Sequence, residues 1–169
     1  MQKNKLSLLF LMLATPLMGQ RTMGKAIAKL LKGDVPVVQV TELSVNPSYI
    51  TLDAREIEEF EVSHLAGAHY IGYQDFDPKK VQELVPNKDT TVVVYCSIGV
   101  RSEKIAKKLI ALGYTDVKNL AGGIFQWKNK GQEVVDSLGK ETERVHAYNK
   151  FWGLLLLKGE KVYGPENKK

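Results

Sequence analysis

The sequence contains one cysteine and three histidines, and this scarcity excludes several kinds of site. A single cysteine cannot form an intramolecular disulfide. Because the histidines are scattered along the chain, they and the cysteine offer no spacing typical of a metal site. No metal and no other cofactor is therefore predicted. Internal repeats and low-complexity tracts are also absent from the sequence.

Hydrophobic runs in the sequence are short. The run 6–14 is apolar apart from one serine, follows two lysines and precedes small residues around Gly19. Because it is too short for a typical membrane-spanning helix, this layout favours a secretory signal peptide. We therefore predict that residues 1–19 are a signal peptide, or a membrane anchor if they are retained. The protein is expected to be exported to the periplasm or the extracellular space, with no membrane span after signal removal.

The net charge of +5 does not indicate a nucleic-acid partner. Six of the 24 Lys and Arg residues precede the first acidic residue, Asp34, which leaves 18 basic against 19 acidic residues and a balance of −1. No basic stripe interleaved with aromatic residues is present, so nucleic acid is not predicted as a partner. The basic segment 20–34 is predicted to be a helix that packs on the domain or rests on an acidic membrane surface.

Apolar runs of strand length alternate with amphipathic segments between residues 35 and 132. This alternation predicts an α/β fold with a mostly parallel central sheet and helices on both faces. The predicted strands are 35–40, 49–52, 68–71, 91–95 and 117–120, and the predicted helices are 56–62, 78–85, 102–112 and 124–130. Residues 133–169 are predicted to be a C-terminal extension. Its leucine-rich segment is expected to form a β-hairpin over 151–163, with a turn at Gly159.

The cysteine, Cys96, lies where the predicted buried strand 91–95 ends and a helix begins. A helix N-terminus stabilises negative charge and thus the reactive thiolate. Gly99 permits a tight bend, and Arg101 adds a fixed positive charge nearby. The alternative interpretation is that Cys96 is a small buried hydrophobic residue beside three valines. The loop and amphipathic helix that follow favour a functional cysteine, with its sulfur held as an exposed anion.

Three separated segments carry a family resemblance. They are Leu52–Glu56 with Glu59–Phe60 and His64–Ala68, then Cys96–Ser102, and then Leu112–Tyr114 with Val117, Leu120–Ile124 and Trp127. In this order and spacing they resemble a single-domain rhodanese, a thiosulfate-type sulfurtransferase. The resemblance implies a rhodanese-like fold over 35–132. It also implies that Cys96 takes sulfur from a donor such as thiosulfate as a persulfide and passes it to a thiol or cyanide.

The resemblance also assigns supporting roles. The segment after the cysteine would bind substrate and supply amide donors to the sulfur, and three other residues would support it. The substrate-binding residues are Ser97, Ile98, Gly99, Val100 and Arg101, and the supporting residues are Asp53, Arg55 and Ser102. The partners implied are a small sulfur donor and a thiol acceptor, which is a small molecule or a protein. A catalytically silent binding or sulfur-carrier module stays open as the alternative.

Two details refine the expectation. Four residues separate Cys96 from Arg101, one fewer than in cysteine phosphatases, so a phosphatase or arsenate reductase is disfavoured. Arg101 is expected to brace the loop by pairing with Asp53 and to leave a positive rim. Because the loop residues between Cys96 and Arg101 carry no charge, high affinity for thiosulfate itself is not expected.

His64 is expected to pack and form hydrogen bonds rather than to act as a base. The oligomeric state is not predicted.

Overall fold

The computed structural model describes residues 29–164. The predicted signal peptide 1–19 lies outside these residues, as do residues 20–28 of the predicted helix 20–34. Lys29 and Leu30 are helical, but residues 31–34 are not, so the predicted helix end was four residues too late. The chain divides into two units, residues 1–32 and residues 33–169. The second unit contains the sheet and every element named below.

A five-stranded, fully parallel sheet forms the centre of this unit. Its strands are β1 (Val37–Val38), β2 (Ile50–Asp53), β3 (His69–Tyr70), β4 (Val92–Tyr95) and β5 (Val117–Leu120). They lie side by side in the order β1-β5-β4-β2-β3. The predicted α/β fold with a parallel sheet is confirmed. In a parallel sheet all strands end at one edge, here called the carboxyl edge, and ligands commonly bind there.

Within residues 33–164, four α-helices connect consecutive strands of the sheet and a fifth follows β5. They are α1 (Val40–Leu43), α2 (Ile57–Val62), α3 (Pro78–Leu84), α4 (Val100–Ala111) and α5 (Gly123–Asn129). Among residues 29–164, no helix combines the length and the apolar character that crossing a membrane requires.

The central strand β4 is buried along its whole length. Because side chains alternate across a strand, Val92 and Val94 face one side of the sheet while Val93 and Tyr95 face the other. Val92 and Val94 join a core cluster that includes Ile105 of α4. Burial on both faces explains why β4 appears in the sequence as a continuous apolar run rather than an alternating one.

The first strand is shorter than predicted. The apolar run 35–40 predicts a strand to residue 40, but β1 ends at Val38, and Val40 begins α1. Both Val40 and Leu43 are buried. Their spacing of three residues matches one face of a helix, and this burial explains why the chain turns helical there.

The C-terminal extension does not contain the predicted hairpin over 151–163. Trp152–Leu155 forms a 3₁₀ helix, and β9 (Glu160–Val162) pairs in parallel with β8 (Arg144–His146). The antiparallel pair of the extension lies earlier, between β6 (Val134–Val135) and β7 (Glu141–Thr142). Of the four consecutive leucines, Leu156 is buried, whereas Leu154 and Leu157 are exposed. The segment therefore contributes one side chain to the interior rather than a complete strand.

Candidate active site

Cys96 directly follows β4 at the carboxyl edge of the sheet, and α4 begins four residues later. The residues from Cys96 to Gly99, here called the Cys96 loop, are all buried. Gly99 caps α4 with φ +103°, a left-handed conformation that side chains rarely adopt. The tight bend that the glycine permits starts the helix at Val100, two residues earlier than predicted. Val100 and Arg101 therefore belong to the first turn of α4.

The sulfur of Cys96 is buried, with only 1% of the residue exposed, so the expectation of an exposed sulfur anion is wrong. The Gly99 amide donates a hydrogen bond to Sγ at 3.2 Å, and Ser102 Oγ lies 3.5 Å from it. Ser102 Oγ also lies 2.7 Å from Asn119 Oδ1. A hydroxyl has one proton and two lone pairs. Ser102 can therefore accept from a thiol while it donates to Asn119, or donate to a thiolate.

The carbonyl groups of the Cys96 loop are bound by elements that follow it in the chain. Two amides in the first turn of α5 and one side-chain amide of β5 donate to three of them. The bonds are Ile124 N to Cys96 O (2.9 Å), Phe125 N to Ser97 O (3.2 Å) and Asn119 Nδ2 to Gly99 O (2.9 Å). With these carbonyls directed toward β5 and α5, the loop closes over the sulfur. This closure is the physical reason for the burial of Cys96.

Gly123, the first residue of α5, makes this close approach possible. A Cβ atom at this position would lie 2.1 Å from Cys96 O and 2.7 Å from Ser97 C. Gly123 also has φ +56°, in the left-handed region. No residue other than glycine fits here without displacing the backbone that holds the nucleophile. The paired glycines Gly122-Gly123 thus serve the site and not only a turn.

Arg101 does not pair with Asp53, as the sequence interpretation expected, but with Glu59 of α2. Its two terminal nitrogens lie 2.6 Å and 2.8 Å from the two carboxylate oxygens of Glu59. Ser97 Oγ accepts from Arg101 at 3.0 Å and donates to Glu59 at 3.0 Å. A second carboxylate, that of Glu56, lies 3.8 Å from Arg101. The positive rim expected around the cysteine is therefore neutralised by acidic side chains of α2 and its N-cap.

Burial and pairing shift the pKa values of Arg101 and Glu59 in opposite directions. Burial alone would lower the pKa of Arg101, but the hydrogen bonds and charge of Glu59 outweigh it and raise that pKa. Burial alone would raise the pKa of Glu59, but Arg101, together with the charge of Arg55, lowers it. Both side chains therefore stay ionised at neutral pH, and the pair is a charge-assisted, bidentate contact.

Asp53 and Arg55 form a second ion pair at the same edge. Both side chains are fully buried, and Arg55 Nη2 lies 2.6 Å from Asp53 Oδ2. Arg55 also donates to the Ser63 carbonyl oxygen at 2.6 Å. Asp53 accepts from the Arg55 backbone amide at 2.9 Å, and its own carbonyl oxygen accepts from the Ile71 amide. Asp53 and Arg55, predicted as supporting residues, thus form a buried brace that joins β2 to the end of α2.

The C-terminal extension reaches the same region. The guanidinium carbon of Arg101 lies 5.1 Å from the centre of the Tyr148 ring, a cation–π contact. Tyr148 has φ +64°, the only left-handed non-glycine residue among those described. Its amide lies 3.2 Å from Nδ1 of buried His146, and the Gly164 amide lies 3.2 Å from Nε2. A neutral imidazole accepts at one ring nitrogen only, so one of these two amides donates to it, and a doubly protonated ring would accept from neither. Burial lowers the pKa of His146.

His64 stacks on Phe60 with ring centres 3.9 Å apart, and its Nδ1 lies 3.0 Å from the Phe60 carbonyl oxygen. The structure therefore gives it packing and hydrogen-bonding contacts of the kind predicted. Within residues 29–164, no group of three or more His, Cys, Asp or Glu side chains is arranged to hold a metal ion.

Three residues of this region were not proposed from the sequence as site residues: Glu59, Asn119 and Tyr148. Glu59 lies in one of the segments that carry the family resemblance, and its capping box with Glu56 is a recognisable pattern. Asn119 is a polar residue within a short strand. Because its side chain is buried, it needs hydrogen-bond partners within the protein, and the loop provides one. Tyr148 carries no comparable signal, because only tertiary folding brings the extension to Arg101.

Comparisons with known proteins agree with this geometry. Residues 37–130 match the model of the family described as "Rhodanese-like domain". Over 98 residues the chain is 32% identical to the tRNA uridine(34) hydroxylase of Photorhabdus laumondii. The matched region is 56% of this chain and 28% of that protein. The chain thus spans less than a third of the length of this relative.

Two solved structures extend the comparison. A rhodanese-related protein of Thermoplasma volcanium is 26% identical with a TM-score of 0.52, over 59% of this chain and 97% of that one. The thiosulfate sulfurtransferase of Pseudomonas aeruginosa is 21% identical with a TM-score of 0.57, over 80% of this chain and 26% of that one. The second likeness bears on the fold alone. Together with the family match, these findings confirm the resemblance drawn from the three sequence segments.

Proposed function

Because the chain belongs to the rhodanese-like domain family, we propose that it is a sulfurtransferase in which Cys96 carries sulfur as a persulfide. The observation that supports this most is the position of Cys96. It lies at the carboxyl edge of a parallel sheet, and the Gly99 amide at the N-terminus of α4 donates to Sγ. Such an amide and the adjoining helix stabilise negative charge on sulfur.

The proposed reaction has two displacement steps. The Cys96 thiolate attacks the outer sulfur of the donor, an S–S bond forms at Sγ, and the S–S bond of the donor breaks with release of sulfite or a thiolate. An acceptor thiol or cyanide then attacks the terminal sulfur and releases the Cys96 thiolate. Because Sγ is buried, the Cys96 loop has to open for each step.

The experiment that tests this is the intact mass of the protein after incubation with a sulfane donor. A gain of one sulfur atom, lost again on addition of a thiol or cyanide, supports the proposal. Because the chain has one cysteine, the same treatment of Cys96→Ser is a complete control. If Cys96→Ser still transfers sulfur from thiosulfate to cyanide, the proposed role of Cys96 is wrong.

A silent binding or sulfur-carrier module is the second candidate, and the burial of Sγ is the observation that favours it. In that case the protein either takes up no sulfur or keeps it when small acceptors are added. The tRNA uridine(34) hydroxylase named above shares 28% of its length with this chain, so its reaction is not assigned here.

We also propose that the protein is exported, on the basis of the lysines, the apolar run 6–14 and the small residues around Gly19. Cell fractionation followed by N-terminal sequencing tests this. Recovery of the chain with Met1 in place from the cytoplasmic fraction would contradict it.

A further inference from the structure

Arg101 lies in the first turn of α4, directly after the Cys96 loop. Its guanidinium group is committed to other side chains, since Glu59 binds it through two oxygens and Ser97 through its hydroxyl. Its charge is therefore already matched by a carboxylate.

The outer face of Arg101 is covered from a different part of the chain. Tyr148 of the C-terminal extension places its ring over the guanidinium, and only 16% of the Arg101 side chain is exposed. The extension lies beyond residues 37–130, which match the rhodanese-like domain family. Tyr148 thus lies outside the matched family domain. Arg101, Glu59, Ser97 and Tyr148 are called the Arg101 clamp below.

Carboxylates outnumber arginines at this edge of the sheet. The two arginines Arg55 and Arg101 face three carboxylates, those of Asp53, Glu56 and Glu59. A donor that carries two negative charges would meet no cation without a partner among these groups. It would also lose hydration on entering a buried site, a cost that only an available counter-charge offsets.

From these contacts we infer that Glu59 and Tyr148 are specificity determinants, and that the Arg101 clamp favours a sulfane sulfur carried on an organic thiol over the thiosulfate dianion. The inference rests on the proposed sulfurtransferase function. An organic persulfide, R–S–SH, presents no sulfonate group and at most one negative charge on its sulfur. The Cys96 thiolate attacks its outer sulfur, the Cys96 persulfide forms, and the R–S⁻ thiolate leaves and takes up a proton.

The test compares two donors, thiosulfate and the persulfide of 2-mercaptoethanol, by the kcat/KM of sulfur loading. The informative quantity is the ratio of the two values, because persulfides are intrinsically more reactive. Glu59→Gln keeps an oxygen acceptor for Arg101 and Ser97 but removes the bidentate counter-charge, which leaves Glu56, 3.8 Å away, as the only carboxylate paired with Arg101 among the described residues. We expect it to shift the ratio toward thiosulfate by about tenfold, mainly through KM, and the shift to shrink at high salt. Glu58→Gln, which removes the same charge from an exposed neighbour on α2, is the matched control and should leave the ratio unchanged.

Tyr148→Leu provides a second, independent variant, because it uncovers Arg101 without removing a charge. We expect it to shift the ratio in the same direction by a smaller factor, about two- to threefold. If Glu59→Gln does not fold, this variant and the salt dependence of the two donors still decide the question.

An unchanged ratio in every folded clamp variant would overturn the inference and leave the proposed function intact, provided that wild-type protein loads sulfur. A shift of equal size in Glu58→Gln would also overturn it, because general surface charge would then explain the selectivity. Failure of the wild-type protein to load sulfur from either donor would instead contradict the proposed function itself.

Discussion

Two arginines lie at the carboxyl edge of the sheet, and they are held in different ways. Arg55 binds a carboxylate two residues away, and both side chains are fully buried. Arg101 binds a carboxylate 42 residues away, is partly exposed, and is covered by a tyrosine from the C-terminal extension. The first pair is local and sealed, so it acts as part of the framework. The second joins three segments that are distant in the chain, so it forms only through tertiary folding.

The largest effect is expected for Asp53→Asn. This change leaves the buried Arg55 guanidinium without a counter-charge, and we expect the free energy of unfolding to fall by about 3–5 kcal/mol. Chemical denaturation measures it. Asp116→Asn, which disrupts the more exposed pair with Lys118, is the matched control and should cost less than about 1 kcal/mol. Equal losses of unfolding free energy in the two variants would show that the buried Arg55 pair contributes no more to stability than the exposed one.

An effect of intermediate size is expected from the protonation of His146, which holds the segment that covers Arg101. Burial, with Arg55 and Arg101, lowers the pKa of His146 and outweighs the opposing charges of Glu59 and Glu58. The unfolded chain, with a histidine pKa near ~6.5, then binds more protons than the folded protein. The free energy of unfolding should therefore have its full value above about pH 6.5 and decrease as the pH falls below it.

The pH effect is measured as the difference in unfolding free energy between pH 7.5 and pH 5.5. His146→Gln should reduce this difference, because the variant cannot take up the proton. If the variant retains the full difference, other groups are responsible, and His146 does not make the cover on Arg101 sensitive to pH.

The smallest effect is expected for Tyr148→Leu on stability. A partly exposed cation–π contact contributes about 0.5–1 kcal/mol, and the variant should lose about that amount. Tyr148→Phe keeps the ring face over Arg101 and should be as stable as the wild type. Denaturation of both variants side by side measures the contact, and a loss of similar size in both would assign it to the hydroxyl instead.

Much of the sheet could be predicted from the sequence because its strands are apolar, β-branched runs. The run ending at Tyr95 is buried on both faces, and the strand predicted over 117–120 is found with those limits. The strand predicted to reach residue 40 was too long, since burial of Val40 and Leu43 favours a helical turn. The hairpin predicted around Gly159 was wrong because Glu160–Val162 finds its partner in Arg144–His146, far from the turn.

The site was predictable where it is local and not where it depends on tertiary contacts. The position of Cys96, the bend at Gly99 and the start of a helix all follow from adjacent residues. The partner of Arg101 could not be predicted from adjacent residues, because Asp53 and Glu59 are both acidic. Only the fold determines that Asp53 pairs with Arg55, whereas Arg101 pairs with Glu59. The burial of the sulfur was also missed, since it arises from hydrogen bonds that α5 donates to the loop.

The contact between Gly123 and the cysteine carbonyl has a consequence for synthesis of the protein. The backbone that shapes the loop around Cys96 is made 27 positions later in the chain. A nascent polypeptide that has emerged only to the end of β5 has the thiol but lacks the segment that encloses it. The thiol is therefore enclosed late, when α5 docks on the loop, and until then Cys96 lacks its final cover.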